Sequence, residues 1–136
     1  MNYTLNDYVG DAVRTESVKG GEYERLADTK ILRLLHAFIG IGTESGELQD
    51  ALKKHIWYGK PLDVVNVEEE LGDVMWYWAV ACDAIGANPT EILERNIAKL
   101  RKRYPEKFTA EQAVNRDLIG ERAILESRTS QSESAA

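Results

Sequence analysis

Apolar side chains recur at helical spacing through most of the chain, and this periodicity is the feature that most restricts its fold. A first stripe runs through residues 31–57, a second through 66–86 and a third through 89–104. Each has the spacing of a helix that buries one face. No stretch of the sequence alternates polar and apolar residues as a half-buried strand does. The sequence therefore predicts an all-α protein, a bundle of four or five helices.

The first long helix is bounded by turn-forming residues. The segment NYTLNDYVGDAVRT predicts a short helix or arm that is broken by the glycine pair 20–21. The long helix is then expected to open near Glu22 or Glu24 and to end near Trp57. Its predicted apolar face comprises Ile31, Leu34, Leu35, Phe38, Ile41, Leu48 and Leu52.

Capping residues mark the next two helices. Asn66 and Glu69 have the spacing of a capping box, which predicts a helix from Asn66 to Gly86. Asn88 and Pro89 are a typical cap and first-turn residue, and this helix is expected to stop at the pair 104–105, Tyr-Pro.

The C-terminal part of the chain predicts one further helix and a tail. Thr109 and Gln112 can cap a fourth helix, AEQAVNRDLIGERAILES, which Gly120 interrupts. The polar residues 127–136 are typical of a disordered tail. We therefore expect one folded domain over residues 1–126.

Composition excludes several classes of function. The net charge of -6 and the isoelectric point near 5.0 argue against binding to nucleic acid, which needs a basic face. The lone cysteine, Cys82, cannot form an intrachain disulfide, and the sequence has no apolar run long enough for a signal peptide or a membrane span. These features favour a cytoplasmic protein that binds neither nucleic acid nor membrane.

Two pairs of acidic residues stand out on consecutive helices. Glu44 and Glu47 are three residues apart in GTESGEL, and Glu70 and Asp73 are three apart in EELGD, so each pair shares one helix face. The short connection predicts antiparallel packing, which would bring the pairs together. Four crowded carboxylates repel one another unless a cation neutralises them. All-oxygen coordination favours Mg²⁺ or Mn²⁺ and, with it, a phosphate-bearing substrate.

Each acidic pair, taken alone, is more often a solvated helix face than a site. A di-iron centre is a rival for such clusters, but it needs Glu-x-x-His pairs, and neither His36 nor His55 stands at that spacing. Gly46 and Gly72 lie beside the acidic residues and would leave room for a ligand or for a neighbouring helix.

The order of these motifs resembles the MazG-like nucleoside triphosphate pyrophosphohydrolases, which are all-α. The resemblance is carried by ESGE, by EELGD and by the later basic stretch NIAKLRKRYP, and it spans about residues 30–108. The short chain and the ending RYPEKF are similar to the small single-domain, phage-type branch. The family often carries an acid just before the first motif glutamate, where this chain has Thr43.

The resemblance implies hydrolysis of a nucleoside triphosphate between its α and β phosphates. It implies that two or three Mg²⁺ ions, which Mn²⁺ can replace, are held by four carboxylates: Glu44, Glu47, Glu70 and Asp73. Among these, Glu47 is the expected proton acceptor for the attacking water. Lys99 and Arg103 would hold phosphate oxygens as charge builds.

Other residues are expected at the nucleotide. Asn96 and Tyr104 belong to the basic stretch that would meet sugar and phosphates, and Trp57 and Lys60 could close over the base from the loop after the first acidic helix. His36 could line the base pocket. For each of these residues, ordinary packing or solvent exposure is an alternative interpretation.

The resemblance also implies a homo-oligomer, dimer or tetramer, whose interface would use part of the apolar surplus in AFIGI and VMWYWAVA. A deoxynucleotide is the expected substrate, with dGTP as the first candidate, and a phage-encoded protein would act in the host cytoplasm. The alternative from another class is a catalytically idle helical module that senses nucleotides or binds a partner.

Overall fold

The computed structural model describes residues 4–16 and 20–127, and these residues form helices and no strand. The helices, in chain order, are α1 (Leu5–Arg14), α2 (Glu22–Leu26), α3 (Thr29–Tyr58), α4 (Val64–Ala84), α5 (Pro89–Arg103), α6 (Ala110–Val114) and α7 (Leu118–Glu126). The predicted all-α class is confirmed. The predicted tail lies outside the described residues, apart from Ser127.

The two longest helices, α3 and α4, form an antiparallel hairpin that is the main packing unit of the described chain. Arg33, near the start of α3, pairs at 2.5 Å with Asp83, near the end of α4. Small side chains line the contact between the two helices, and the buried apolar residues are Ala37, Ala81, Cys82 and Ala84. Because these side chains are short, the two backbones can approach closely.

Gly40 is the closest point of this contact. A Cβ atom built on Gly40 would overlap the ring of Tyr77 on α4. The glycine is therefore required for the helix crossing. By contrast, a Cβ atom built on Gly46 or Gly72 would meet nothing within 4 Å. These two glycines therefore face open space and do not contact a neighbouring helix.

The start of α3 differs from the prediction. A single helix from Glu22 was wrong, because the chain forms the short α2 and then restarts at Thr29. The carboxylate of Asp28 accepts hydrogen bonds from the backbone N–H groups of Lys30 (2.7 Å) and Ile31 (3.4 Å), which caps α3. The predicted end of α3 near Trp57 is close to the observed end at Tyr58, where Gly59 adopts φ 63°.

The start of α4 also differs. Asn66 was predicted as the N-cap, but α4 begins at Val64 and Asp63 is its cap, accepting a hydrogen bond from the Asn66 backbone at 3.2 Å. Asp63 is the cap because its carboxylate accepts from a free N–H group of the first turn, about one turn before the start predicted at Asn66. The side chain of Asn66 is thereby free for another partner.

The C-terminal helices pack on one another. Asn88 caps α5 as predicted, and Pro89 occupies its first turn. Thr109 accepts a hydrogen bond from the Gln112 backbone as predicted, but the single fourth helix was wrong: α6 stops at Val114, and a new helix, α7, starts after its cap Asp117. The break therefore precedes Gly120, which lies inside α7.

Most large apolar side chains of the hairpin remain open to solvent. The strongly exposed ones on α3 and α4 are Leu32, Phe38, Ile39, Leu52, Ile56, Trp57, Tyr58, Val64, Val65, Leu71, Met75 and Trp76. Their exposure contrasts with the small buried core, and patches of this kind mark interaction surfaces. A single copy of the chain therefore leaves much of its apolar surface uncovered.

Candidate metal and nucleotide site

Three of the four predicted carboxylates meet between α3 and α4. Glu44, Glu47 and Glu70 each offer one oxygen, and these oxygens all lie within 4.8 Å of one another. The helical spacing of three residues places Glu44 and Glu47 on one face of α3, and the antiparallel hairpin brings Glu70 opposite them. We call these three residues the carboxylate cluster.

The carboxylate cluster has the donor set of a hard divalent cation. Carboxylate oxygens suit Mg²⁺, Mn²⁺ or Ca²⁺ rather than a soft metal. Charges at this spacing repel by about 4 kcal/mol a pair at an effective dielectric of 20. A bound cation would remove that repulsion, so the residues present fit such an ion.

Glu70 is the buried member of the cluster, with 5% of its surface exposed. The side-chain amide of Asn66 donates a hydrogen bond to its Oε1 at 2.8 Å. Since the two residues are one helical turn apart, the amide orients the carboxylate from within α4. Such an outer partner would fix which oxygen faces a bound cation.

Glu44 differs electrostatically from an ordinary surface glutamate. Partial burial raises its pKa, and the hydrogen bond with Glu70 and the charges of Glu47 and Glu70 raise it further, against the lowering effect of Thr43. The Thr43 hydroxyl lies 3.2 Å from Oε1 of Glu44 and 2.9 Å from the Gly40 carbonyl. Thr43 therefore contacts the cluster without adding a charge.

Asp73, the fourth predicted ligand, is exposed on α4 and stands outside the cluster formed by the described residues. It lies about one turn beyond Glu70 and so shares that face of the helix. Its role as a ligand stays a prediction.

A cavity of about 290 Å³ adjoins the cluster at Glu47. Its other charged lining residues are Asp50 and Lys54 on α3, Lys60 in the α3–α4 loop, and Asp63. Asn66, the partner of Glu70, also lines it. The predicted loop residue Lys60 therefore lies beside the acidic site.

The ring of Tyr77 on α4 contacts His36 on α3. The His36 and Tyr77 centroids are 5.5 Å apart in an edge-to-face arrangement, and Trp76 lies 4.9 Å from Tyr77 and 6.5 Å from His36. Edge-to-face pairs are favourable ring contacts. His36 is exposed at the edge of this aromatic group and lies about two helical turns before Glu44 on α3.

The predicted residues of α5 do not share one environment. The Nζ atom of Lys99 donates a hydrogen bond to Asn96 at 2.8 Å. Arg103 instead contacts α7, where its guanidinium donates two hydrogen bonds to Glu121, at 2.8 and 2.5 Å. These bonds raise the pKa of Arg103 and lower that of Glu121 to about 2. Helix α5 packs mainly on α7, and its contacts with α3 and α4 are sparse among the described residues.

The predicted aromatic residues Trp57 and Tyr104 differ in exposure, since Tyr104 is half-buried. Trp57 is 72% exposed at the end of α3. Tyr104 packs against Phe108 with centroids 5.3 Å apart, and the Arg103 guanidinium lies 5.7 Å from its ring centre. Their predicted roles at the nucleotide, and the phosphate role of Arg103, stay predictions.

Some neighbours of the site were not found from sequence. The sequence pattern predicts a cap at Asn66, but its spacing of four from Glu70 is also typical of a side-chain pair within one helix. The same spacing links Asp50 to Lys54, which pair at 2.6 Å. No sequence pattern indicates that Glu121 contacts Arg103, because 18 residues separate them and the contact depends on how α7 folds back.

The helical hairpin and its carboxylate cluster define an all-α protein with a candidate divalent-cation centre. A family model described as the MazG nucleotide pyrophosphohydrolase domain matches residues 35–108, over half of the chain. The chain therefore belongs to the MazG nucleotide pyrophosphohydrolase family. No curated protein and no solved structure matches it.

Membership of this family establishes the class of reaction. The chain is a nucleoside triphosphate pyrophosphohydrolase, a hydrolase that acts on phosphoric anhydrides. The family is typically dependent on divalent metal, and the carboxylate cluster is a possible place for it. No helix in the described part of the chain has the length and apolar character needed to cross a bilayer.

Proposed function

We propose that the protein hydrolyses a deoxynucleoside triphosphate between its α and β phosphates, with Mg²⁺, to a monophosphate and pyrophosphate. The observation that carries the proposal is the carboxylate cluster, in which oxygens of three glutamates from two helices lie within 4.8 Å of one another. Such a cluster is costly without a cation and is suited to bridging a cation to substrate phosphates.

Glu44, Glu47 and Glu70 would hold two or three Mg²⁺ ions, with Asp73 as the fourth ligand and Mn²⁺ as a substitute. When bound, the ions polarise the phosphate oxygens and lower the pKa of a bound water. Asn66 keeps the Glu70 carboxylate in one orientation through its 2.8 Å hydrogen bond.

Glu47 would accept the proton of the attacking water. It is the exposed member of the carboxylate cluster and also lines the adjoining cavity, so a water molecule can reach it. Glu44 and Glu70 are more enclosed. A general base has to lie within hydrogen-bond reach of the proton that it removes.

Asn96 and Lys99 would contact the sugar and phosphates from a second copy of the chain. Within one copy, α5 packs mainly on α7 and makes few contacts with the hairpin. The exposed apolar side chains on α3 and α4 supply a surface for a dimer or tetramer. Arg103 and Tyr104 would support the same contact from the end of α5, with Arg103 held by Glu121.

The base would enter beside His36, near Tyr77. Trp57 follows His36 by 21 residues on α3, about 30 Å along the helix axis, so Trp57 would close over that base from a second copy of the chain. Lys60 would approach the nucleotide from the loop beside the carboxylate cluster. The aromatic edge contacts of His36 give it a fixed position on α3. We propose a purine as the base, and dGTP is the first candidate substrate. The phage-type origin and the cytoplasmic location stay predictions.

The test is a screen of the eight common NTPs and dNTPs with Mg²⁺, followed by separation of the products. We expect a monophosphate and pyrophosphate from at least one deoxynucleotide, with no turnover in EDTA. A diphosphate with orthophosphate would refute the bond assignment. No turnover of any nucleotide would instead favour the catalytically idle helical module.

A further inference from the structure

The cavity beside Glu47 has a wall that the proposed metal site does not use. Lys54 on α3 and Lys60 in the α3–α4 loop both line it. Its volume of about 290 Å³ lies at the lower limit of ordinary ligand pockets. It is therefore suited to a small group or to one end of a larger ligand.

The loop that carries Lys60 is fixed to the end of α3. The Lys60 backbone N–H donates to the Lys54 carbonyl at 3.3 Å, and Nδ1 of His55 donates to the Lys60 carbonyl at 2.8 Å. Gly59 makes the turn possible with a φ of 63°. Lys60 is thus held next to the last turn of α3, close in space to Lys54.

Two of the three carboxylates in the cavity wall already have partners. Asp50 pairs with Lys54 at 2.6 Å, and Asp63 caps α4. Glu47 belongs to the carboxylate cluster. Because three carboxylates face two lysines, an anion can enter only when a divalent cation offsets the charge of Glu47.

We propose that this cavity receives the β and γ phosphates of the substrate, and afterwards the pyrophosphate product, with Lys54 and Lys60 as the cationic groups. The inference rests on the proposed function, since it extends from the same carboxylate cluster. Lysine ammonium groups bind phosphate oxygens through charge-assisted hydrogen bonds. Arg103 is not needed for this role, because its guanidinium is held by Glu121.

Asp50 determines how readily the Lys54 ammonium group can bind a phosphate. Its carboxylate competes with an incoming phosphate for the same ammonium group at 2.6 Å. Removing the carboxylate charge should therefore strengthen anion binding, whereas removing the lysine charge should weaken it. These opposite signs distinguish a phosphate contact from a general loss of structure.

The chain offers a matched control in Lys53. It is the sequence neighbour of Lys54, but it is exposed, its Nζ lies 5.8 Å from the ring centre of Tyr58, and it does not line the cavity. Lys53→Met removes the same charge from the same helix. The substitution therefore tests whether position, rather than net charge, matters.

The experiment is calorimetric titration of the full chain with inorganic pyrophosphate in the presence of Mn²⁺. We expect Lys54→Met and Lys60→Met each to weaken pyrophosphate binding by about tenfold, the usual effect of one charge-assisted hydrogen bond. Lys53→Met should change it less than twofold, about the effect of a distant exposed charge. Asp50→Asn should tighten it. Circular dichroism with thermal melting checks that each variant is folded.

Equal effects of Lys53→Met and Lys54→Met would overturn the inference, as would a wild-type protein that binds no pyrophosphate with Mn²⁺. The nucleotide screen separates this failure from that of the proposed function. If nucleotides are hydrolysed but the lysine variants bind pyrophosphate normally, the cavity assignment fails alone. If pyrophosphate binding depends on Lys54 while no nucleotide is hydrolysed, the phosphate subsite stands and the reaction assignment fails.

Discussion

The side-chain amide of Asn66 donates a 2.8 Å hydrogen bond to Oε1 of Glu70, a carboxylate that is almost wholly buried between α3 and α4. Both residues belong to α4 and are one turn apart. A buried carboxylate beside two other glutamates has few ways to be satisfied without a cation, and this amide supplies one. Asn66 thus orients the carboxylate that is proposed to bind metal.

Asn66→Ala should therefore weaken metal binding by about 10- to 100-fold, the usual effect of losing an outer partner of a ligand. The affinity for Mn²⁺ can be measured by calorimetry or by electron paramagnetic resonance. Glu69→Gln is the matched control, because Glu69 is an exposed neighbour on α4 that lies outside the cluster. Equal affinities of Asn66→Ala and wild type would show that the hydrogen bond does not orient a ligand.

Glu47→Gln should abolish turnover without destabilising the metal-free protein. The substitution removes the proposed base and one charge from three crowded carboxylates, so the melting temperature in EDTA should stay equal or rise. Added Mg²⁺ should stabilise the variant less than it stabilises wild type. A large loss of melting temperature in EDTA would instead identify Glu47 as a structural residue, and retained turnover would remove it from the mechanism.

Glu121 should make the fold sensitive to acid. Hydrogen bonds from Arg103 and then Arg116 lower the pKa of Glu121 to about 2, from an ordinary value of 4.5. The ionised form therefore stabilises the folded state above about pH 4.5, and this contribution is lost as the pH falls toward 2. Urea denaturation at pH 7 and at pH 3 should show a smaller free energy of unfolding at the lower pH.

Glu121→Gln should lower the melting temperature at pH 7 by several degrees and reduce the loss on acidification, because the charge that titrates is gone. Glu126→Gln is its control on the same helix, since Glu126 pairs only with Arg122 at an exposed position among the described contacts. An acid sensitivity that is the same in wild type and in Glu121→Gln would assign the effect to other carboxylates.

The proposed oligomer should depend on the exposed face of the hairpin. Light scattering after size-exclusion chromatography should give the mass of a dimer or tetramer. Met75→Glu should shift it toward the monomer, because a charge on an apolar interface is poorly solvated. Val114→Glu, on the exposed short helix α6, should leave the mass unchanged. A wild-type protein that is monomeric at high concentration would contradict the proposed completion of the site by a second copy.

The sequence predicted those parts of the molecule that depend on short-range periodicity. The ends of α3 and α5 follow from the turn-forming residues that come after them, and the facing of Glu44 and Glu47 follows from helical spacing. Errors arose where two residues competed for one local role. Asp28 starts α3 later than the glutamates near 22 suggested, and Asp63 took the cap that was assigned to Asn66.

The approach of Glu70 to Glu44 and Glu47 was predictable because a short loop joins their helices, but other contacts between distant segments were not. Nothing in the spacing of residues 103 and 121 indicates that the arginine and glutamate meet, because the break between α6 and α7 decides where α7 returns. The same holds for Gly40, whose partner Tyr77 lies on another helix. Such pairs depend on tertiary packing rather than on local preference.

The glycines of α3 provide a last prediction, because they occupy the same helix but different surroundings. Gly40→Ala should destabilise the protein by about 1–3 kcal/mol for overpacking against Tyr77, less the gain of about 1 kcal/mol in helix propensity. Gly46→Ala meets no atom within 4 Å, so it should stabilise the metal-free protein by about 0.5–1 kcal/mol. Chemical denaturation in EDTA measures both effects.

The turnover of Gly46→Ala then decides why a glycine stands between Glu44 and Glu47. If the variant is more stable but its KM for the best nucleotide rises, the space beside the backbone is used by the substrate or by a second copy of the chain. If turnover and KM are unchanged, the glycine has no part in binding, and the acidic pair alone accounts for the GTESGEL stretch. Loss of stability in Gly46→Ala would show that this side of α3 is covered in the assembled protein, because a single copy leaves it open.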